Sequence, residues 1–273
     1  MGRVRTSSKE KKLVQLRTML GAAVVAGAAF MAASATALDL TGLELYLPFD
    51  EDGGKTAADL SGNGNDGSLE GDVAWIPGVN GSAVEVSDGA ADNYVSVPNA
   101  DSLNPTDEIS LVAWALVTSM PDSHNSIITK ADTWMIHTSN WRGGGDPIEW
   151  EPLIWSPGFV AWQTTASASV PLGEWHHFAG TYDGSITRTY IDGEEMGTFD
   201  QAGGIATSDV DVVIGRDSRG CCADRKSTQA IDDAMIWSRA LSAKDVNDII
   251  DGVLLDVDPA GKTATTWARI KRR

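Results

Sequence analysis

The sequence is short of cysteine, of basic residues and of long apolar runs, and each shortage removes a class of protein. Only two cysteines occur in 273 residues, adjacent at Cys221 and Cys222, so no disulfide framework staples this chain. Lys and Arg number 21 against 38 Asp and Glu, and six of the basic residues fall in the first 37 positions. Residues 38–273 keep 15 basic and 37 acidic residues, a formal charge of −22, which repels nucleic acid and anionic lipid head groups. No nucleic-acid partner is expected. Beyond residue 33 no apolar run approaches the roughly 20 residues of a spanning helix, so residues 38–273 are expected to carry no transmembrane segment. There is no Gly-x-Ser-x-Gly elbow, no His-Glu-x-x-His pair and no phosphate loop. Neither an internal repeat nor a linker divides residues 38–253.

The first segment reads as a leader. Arg3, Arg5, Lys9, Lys11, Lys12 and Arg17 form a basic region, an alanine-rich apolar stretch covers 20–33, and Ala35-Thr36-Ala37 is a small-x-small cleavage signal. Residues 1–37 are therefore expected to be a signal peptide removed near Ala37; the alternative is an uncleaved membrane anchor, for which the run is short and weakly apolar beside the roughly 20 strongly apolar residues of a spanning helix. The protein is then secreted, to the extracellular space or the periplasm. The end of the chain differs again. Residues 254–273 form a tail ending in Arg269, Lys271, Arg272 and Arg273, which either docks on the acidic body or on another molecule, or frays.

Between these ends the chain reads as all-β. Ten Trp and 28 Gly combine large flat side chains with turn formers, and 42% hydrophobic residues supply a core. Strand patterns cover 43–49, 84–86, 94–97, 109–117, 175–182, 187–191, 195–199, 210–214 and 230–237. Residues 109–117 are apolar on both faces, as a central strand covered on each side must be. Asp183-Gly184 and Asp192-Gly193 join three strands into a meander, since Asp-Gly between alternating runs is a strong hairpin signal. One short helix is expected, capped by Ser242 with Asp245 three residues on and with Val246, Ile249 and Ile250 sharing a face.

Three motifs in order resemble laminin-G-like jelly-roll domains of the concanavalin A-like lectin/glucanase superfamily. The first is Leu45-Tyr46-Leu47-Pro48-Phe49-Asp50 with the later Asp59-Leu60-Ser61-Gly62-Asn63-Gly64-Asn65. The second runs from Gly173-Glu174-Trp175-His176-His177-Phe178 to Tyr190-Ile191-Asp192-Gly193, and the third is Ile231-Asp232-Asp233-Ala234 through Trp237 to Ser242. The resemblance implies a two-sheet antiparallel jelly-roll sandwich with one short C-terminal helix. Residues 121–171 depart most from the family pattern. The resemblance also implies a calcium ion where the first strand ends and the last begins, with Asp50, Asp59, Asn63, Asn65 and Asp232 as candidate ligands. Calcium takes six to eight hard oxygens, which carboxylates, amides and carbonyls supply. The same residue types equally serve turns, through side-chain to backbone hydrogen bonds.

Half of the tryptophans crowd into under thirty residues. Trp134, Trp141, Trp150 and Trp155 are candidates for a ligand platform, because flat rings stack on sugar faces, while Trp162 reads as core. The alternative is that these rings too fill the sandwich. Glu149 and Glu151 flank Trp150 and, on a strand, share one face about 7 Å apart, a spacing glycosidase acid pairs use. Pro152 interrupts that strand pattern and the superfamily's usual third acid is missing, so no residue is assigned a catalytic role and enzymatic activity stays open. His176 and His177 alternate on a strand and cannot chelate one ion together. Cys221 and Cys222 either close a strained ring with each other, stay free or pair between chains; an exported chain favours the ring. The function expected is a module binding a glycan or glycoprotein, with calcium as a possible cofactor. A glycan-active hydrolase and a purely structural or adhesive unit are the alternatives. Intact-mass analysis of exported protein should give a chain starting at Leu38; a mass that retains the basic leader contradicts the cleavage site.

Overall fold

A computed structural model describes residues 38–87, 93–120, 124–139, 148–154, 168–219 and 227–252, and of 148–153 and 168 only the backbone. Among these residues the strands are β1 (Leu43–Leu47), β2 (Thr56–Ala57), β3 (Gly67–Glu70), β4 (Ala74–Pro77), β5 (Ser82–Val86), β6 (Tyr94–Val97), β7 (Ile109–Ser119) and β8 (His124–Lys130). They continue with β9 (Trp134–Ser139), β10 (Ile148–Ile154), β11 (Ala168–Val170), β12 (Trp175–Tyr182), β13 (Ile186–Ile191), β14 (Glu194–Asp200), β15 (Val212–Ile214) and β16 (Thr228–Trp237), followed by helix α1 (Ala243–Ile250). Sheet A has the order β14-β13-β12-β7-β16-β5-β4, with β1 also on β16; sheet B has the order β11-β10-β9-β8-β15-β6-β3-β2. The strand pairs are antiparallel throughout. This is the expected jelly-roll sandwich.

Strand alternation builds two apolar layers. Leu111, Ala113, Ala115 and Val117 of β7 face sheet B, where they meet the cluster containing Ile128, Trp134, Ile136 and Ile214. Val112, on the opposite face of β7, joins Ala179, Tyr190, Met235 and Trp237 under Val246 and Ile249 of α1. The helix therefore explains why β7 is apolar on both sides. Its start is the expected capping box: Ser242 accepts from Asp245 N–H, and the Asp245 carboxylate accepts from Ser242 N–H. The meander also forms as read. Asp192 and Gly193 take φ of 50° and 83°, the left-handed pair a two-residue hairpin loop demands.

Residues 121–171 hold the strands that the sequence hid. β8 and β9 carry Asn125, Ser126, Thr129, His137, Thr138 and Ser139 as buried residues, which breaks any apolar alternation. Pro152 does not end β10. β11 pairs with Ile148 to Trp150, so Pro152 lies past that partner and, among the described residues, has no strand on that side, a position where proline is tolerated. Replacing Leu111 by Ala should cost about 2–5 kcal/mol in denaturant unfolding, as large-to-small core changes do. Met196→Ala, at a side chain 43% exposed on β14, should stay within about 0.5 kcal/mol. Equal effects at the two positions would contradict the layer assignment.

Candidate functional site

The ends of the sandwich meet on β16. Along one side this strand pairs with β5 over Gln229 to Ile231 and then with β1 over Ala234 to Trp237. Asp232 and Asp233 fall at the changeover. On the other side β16 pairs with β7, with Asp232 opposite Trp114 and Met235 opposite Val112, so three steps on β16 match two on β7. That is a β-bulge, and Asp233 takes the positive φ of 49° that accompanies it. The bulge lets two consecutive carboxylates reach the same neighbour, the turn joining β4 to β5.

Asp232 Oδ2 accepts from the backbone N–H groups of Val79 (2.8 Å) and Asn80 (3.0 Å). Asp233 Oδ2 accepts from Asn80 Nδ2 (3.0 Å) and its Oδ1 from the Tyr46 hydroxyl (2.9 Å). Asp50 Oδ1 accepts from Ser82 N–H (3.0 Å), and the Phe49 carbonyl accepts from the Ser82 hydroxyl (2.6 Å). The turn needs its glycines: a Cβ on Gly78 would collide with Asp232 Oδ2, and one on Gly81, at φ 76°, with Asp50 Oδ1. Three carboxylates thus grip one hairpin. Among the described residues none of the three has a Lys or Arg partner.

Two facts mark the arrangement as more than a turn clamp. Asp232 is fully buried, and its Oδ1 has no hydrogen-bond partner. An unmatched carboxylate oxygen in the interior carries a large desolvation cost. Burial, with the charges of Asp233 and Asp50, pushes the Asp232 carboxyl up to about 8; burial, with Asp50 nearby, pushes Asp233 up to about 6. Burial and Asp233 also drive the Tyr46 hydroxyl well above its usual range. This donor set fits a hard cation: an orphaned buried oxygen, a second carboxylate open to solvent at Asp50, and no resident positive charge. Among the described residues no three His, Cys, Asp or Glu side chains converge as a cage. A calcium ion here would draw on Asp50, Asp232 and backbone or water oxygens.

The other expected ligands are employed elsewhere. Asp59 Oδ1 accepts from the N–H groups of Tyr46 and Ser61, and its Oδ2 from Asn65 N–H and the Ser61 hydroxyl. Asn63 Nδ2 donates to the Leu43 and Glu44 carbonyls, and Asn65 Nδ2 to the Glu44 carbonyl and the Ser102 hydroxyl. Together with Leu60 N–H on the Tyr46 carbonyl, these bonds cover the free edge of β1. Both oxygens of Asp59 and the amide nitrogens of Asn63 and Asn65 are therefore engaged by the turn and the β1 edge, while Asp50 and Asp232 are gathered at the hairpin. Sequence reading missed Asp233, Tyr46 and Asn80. The doubled Asp in Ile231-Asp232-Asp233 was the available signal, since a bulge can turn both to one side.

The tryptophans separate. Trp134, expected on a ligand platform, is 1% exposed in the core between the sheets, because it alternates with Met135 on the inward face of β9. It is not open to a ligand. Trp150 occupies a β10 position opposite Thr138 and Ala168, on the face that carries Ile136. Trp141, Trp155, Cys221 and Cys222 lie outside the described residues, as do 1–37 and 254–273. His176 bonds Asp192 Oδ2 at 2.8 Å, and buried His177 packs edge-on against Trp114 with ring centroids 5.2 Å apart. Burial pushes His177 down to about 4.

A two-sheet sandwich closed at one end by a carboxylate-gripped hairpin defines a jelly-roll module. The family model Laminin_G_3, of the concanavalin A-like lectin/glucanases superfamily, matches residues 88–247, more than half of the chain, and the protein belongs to that family. No curated protein matches in sequence. Among solved structures the chain is similar to the binding domain of Paraclostridial Mosquitocidal Protein 1, at 14% identity and TM-score 0.58 over 77% of this chain and 52% of that one. It is also similar to the fourth domain of an extracellular arabinanase from Geobacillus stearothermophilus, solved with arabinotriose, at 18% identity and TM-score 0.57 over 76% of this chain and 97% of that one. A third is the binding domain of botulinum neurotoxin DC in complex with rat synaptotagmin II, at 16% identity and TM-score 0.57 over 79% and 53%. The chain spans about half the length of the two toxin domains and nearly all of the arabinanase domain. No helix among the described residues is long and apolar enough to cross a membrane.

The raised carboxylates carry a pH signature. A group held above its ordinary pKa binds its proton more tightly in the folded state, so its stabilising effect is complete below about 4 and is lost as the pH rises through the raised value. His177, held low, opposes this below its ordinary 6.5. Between about 6.5 and about 8 Asp232 acts without that opposition. In cation-free buffer the melting temperature should therefore fall across this window, and Asp232→Asn should flatten the slope. A flat or rising profile in the unsubstituted protein contradicts the buried, unpaired carboxylate.

Proposed function

We propose that the chain is a secreted module that binds a glycan or glycoprotein, with one calcium ion at Asp50 and Asp232 stiffening the closure of its sandwich. What supports the binding reading is the shape shared with the arabinanase domain, matched over 97% of that domain's length and solved with a sugar. Another of the similar structures is of botulinum neurotoxin type C, whose cell entry depends on interaction with two ganglioside molecules. Sugars are the ligand chemistry common to these two.

What supports calcium is the unpartnered Asp232 Oδ1 beside Asp50. The ion's part is electrostatic: it offsets the repulsion among buried carboxylates and ties the end of β1 to the start of β5. Binding only to the folded state stabilises by RT ln(1 + [L]/Kd), about 2.7 kcal/mol at a hundredfold excess over Kd.

A glycan-array screen of the protein, with and without calcium, tests the ligand reading; arabino-oligosaccharides and gangliosides belong in the set. Binding of at least one glycan class is expected, and failure with every class favours a structural or adhesive unit. Scanning calorimetry tests the ion. The melting temperature should rise with millimolar calcium and fall with chelator. Asp50→Asn and Asp232→Asn should remove most of that response, whereas Glu70→Gln, an exposed position on β3, should keep it. A melting temperature indifferent to calcium and chelator leaves the carboxylates as a hairpin clamp alone.

A further inference from the structure

The hairpin gripped by the three carboxylates contains a chemically reactive backbone step. Asn80 is followed by Gly81, and the sequence has one other such pair, Asn63-Gly64. Where glycine follows asparagine, no Cβ shields the glycine nitrogen, and that nitrogen can close on the preceding side-chain amide as a cyclic succinimide. The two glycines share a φ of 76° but differ in what surrounds them. A Cβ on Gly64 would meet nothing within 4 Å, whereas one on Gly81 would collide with Asp50 Oδ1. The close approach of Asp50 therefore demands glycine at 81, and the Asn-Gly step stays where the carboxylates meet.

The two asparagines are held differently. Asn63 Nδ2 donates to the Leu43 carbonyl (3.0 Å) and the Glu44 carbonyl (3.2 Å), with Ser61 Oγ at 3.2 Å and Glu44 Oε2 at 3.3 Å. The bonds of Asp59 and Asn65 pin the same loop along the β1 edge. Asn80 is half-buried, and among the described residues its Nδ2 has a single acceptor, Asp233 Oδ2 at 3.0 Å. The hairpin around it hangs on Asp232 and Asp50, which repel each other and Asp233. Ring closure at 63 must break several bonds along a covered strand edge. At 80 it must break one side-chain bond and loosen a clamp of like charges, a less costly local opening.

The acceptor gives the step its consequence. An oxygen in place of Asn80 Nδ2 turns a donor to Asp233 into an acid facing an acid, and like charges in contact destabilise. We propose that Asn80 is a deamidation site, and that its conversion switches the hairpin from a donor-held clamp to a cluster of four carboxylates that needs a cation to close. Solvent base takes the proton from the Gly81 nitrogen, and that nitrogen bonds to Asn80 Cγ. The Cγ–Nδ2 bond breaks, and the amide nitrogen leaves as ammonia with a proton from water. Water then opens the ring at one carbonyl or the other, leaving aspartate or isoaspartate at position 80. Isoaspartate also lengthens the backbone between the amides held by Asp232 and by Asp50. A further carboxylate adds a hard oxygen of the kind calcium takes. The dependence on a cation rests on the calcium reading above; the modification itself does not.

Ageing the protein in chelator at mildly alkaline pH, followed by peptide mapping that separates aspartate from isoaspartate, tests the site. In the folded protein, conversion at Asn80 should run several-fold ahead of conversion at Asn63. In urea the two should run at similar rates, because the steps are chemically alike once the fold is gone. Equal rates in the folded protein, or Asn63 ahead, would overturn the assignment. Asn80→Gln, whose longer side chain must close a larger ring, should abolish conversion there and leave Asn63 unaffected. Asn80→Asp reproduces the main-chain product. In chelator its melting temperature should fall below the parent's, and millimolar calcium should raise it by more than it raises the parent. An Asn80→Asp protein as stable as the parent in chelator would overturn the switch. Parent and variant both indifferent to calcium, with conversion still concentrated at Asn80, would sink the calcium reading and the cation dependence while upholding the modification.

Discussion

The fold depends on one pairing that no local turn enforces, the docking of β1 on β16. The two strands lie near the ends of the sandwich sequence, with Leu43 opposite Trp237 and Leu47 opposite Ala234. Every other strand of sheet A lies between them in the chain, so this contact closes a loop of nearly the whole domain and carries the corresponding entropy. Its apolar part is strong, since Leu45, Leu47, Ile236 and Trp237 are fully buried. Its polar part is concentrated where β16 exchanges β5 for β1, and there the chain places acids.

That placement inverts the usual interior. Buried charges are normally paired, yet Asp232 and Asp233 sit side by side with Asp50 close to both. The hairpin amides of Val79, Asn80 and Ser82 satisfy part of the need. They leave Asp232 Oδ1 unmatched, and they add no positive charge. A bound cation would resolve both at once, and the overall formal charge of −17 draws cations to the protein. The opposite face of the molecule, on sheet B, solves its polar problem differently, with imidazoles and hydroxyls rather than clustered carboxylates.

Much of this was legible in the sequence because periodicity and turn chemistry are local. The β7 run, the two Asp-Gly turns and the Ser242 cap each declared themselves within a dozen residues, and the structure realises them with the expected bonds. Strands β8 and β9 were not legible, because their polar residues are covered by tertiary contacts that no window of sequence contains. The site shows the same division. Asp50 and Asp232 could be paired from the order of the strands alone. Asp59, Asn63 and Asn65 share their chemistry but serve the β1 edge, and only the register reveals it. Trp134 fell to the same limit: a tryptophan among glycines and prolines looks like a loop platform until strand alternation turns it inward.

Amide hydrogen exchange at the β1–β16 ladder, read in calcium and in chelator, tests the central claim most directly. Removing calcium should selectively speed exchange in Leu47, Val79, Asn80, Ser82 and Ala234, whose amides lie at or beside the carboxylate cluster, while the β7–β12 ladder keeps its protection. Uniform exchange across both ladders in the two conditions would show that the cluster does not govern the closure of the sandwich.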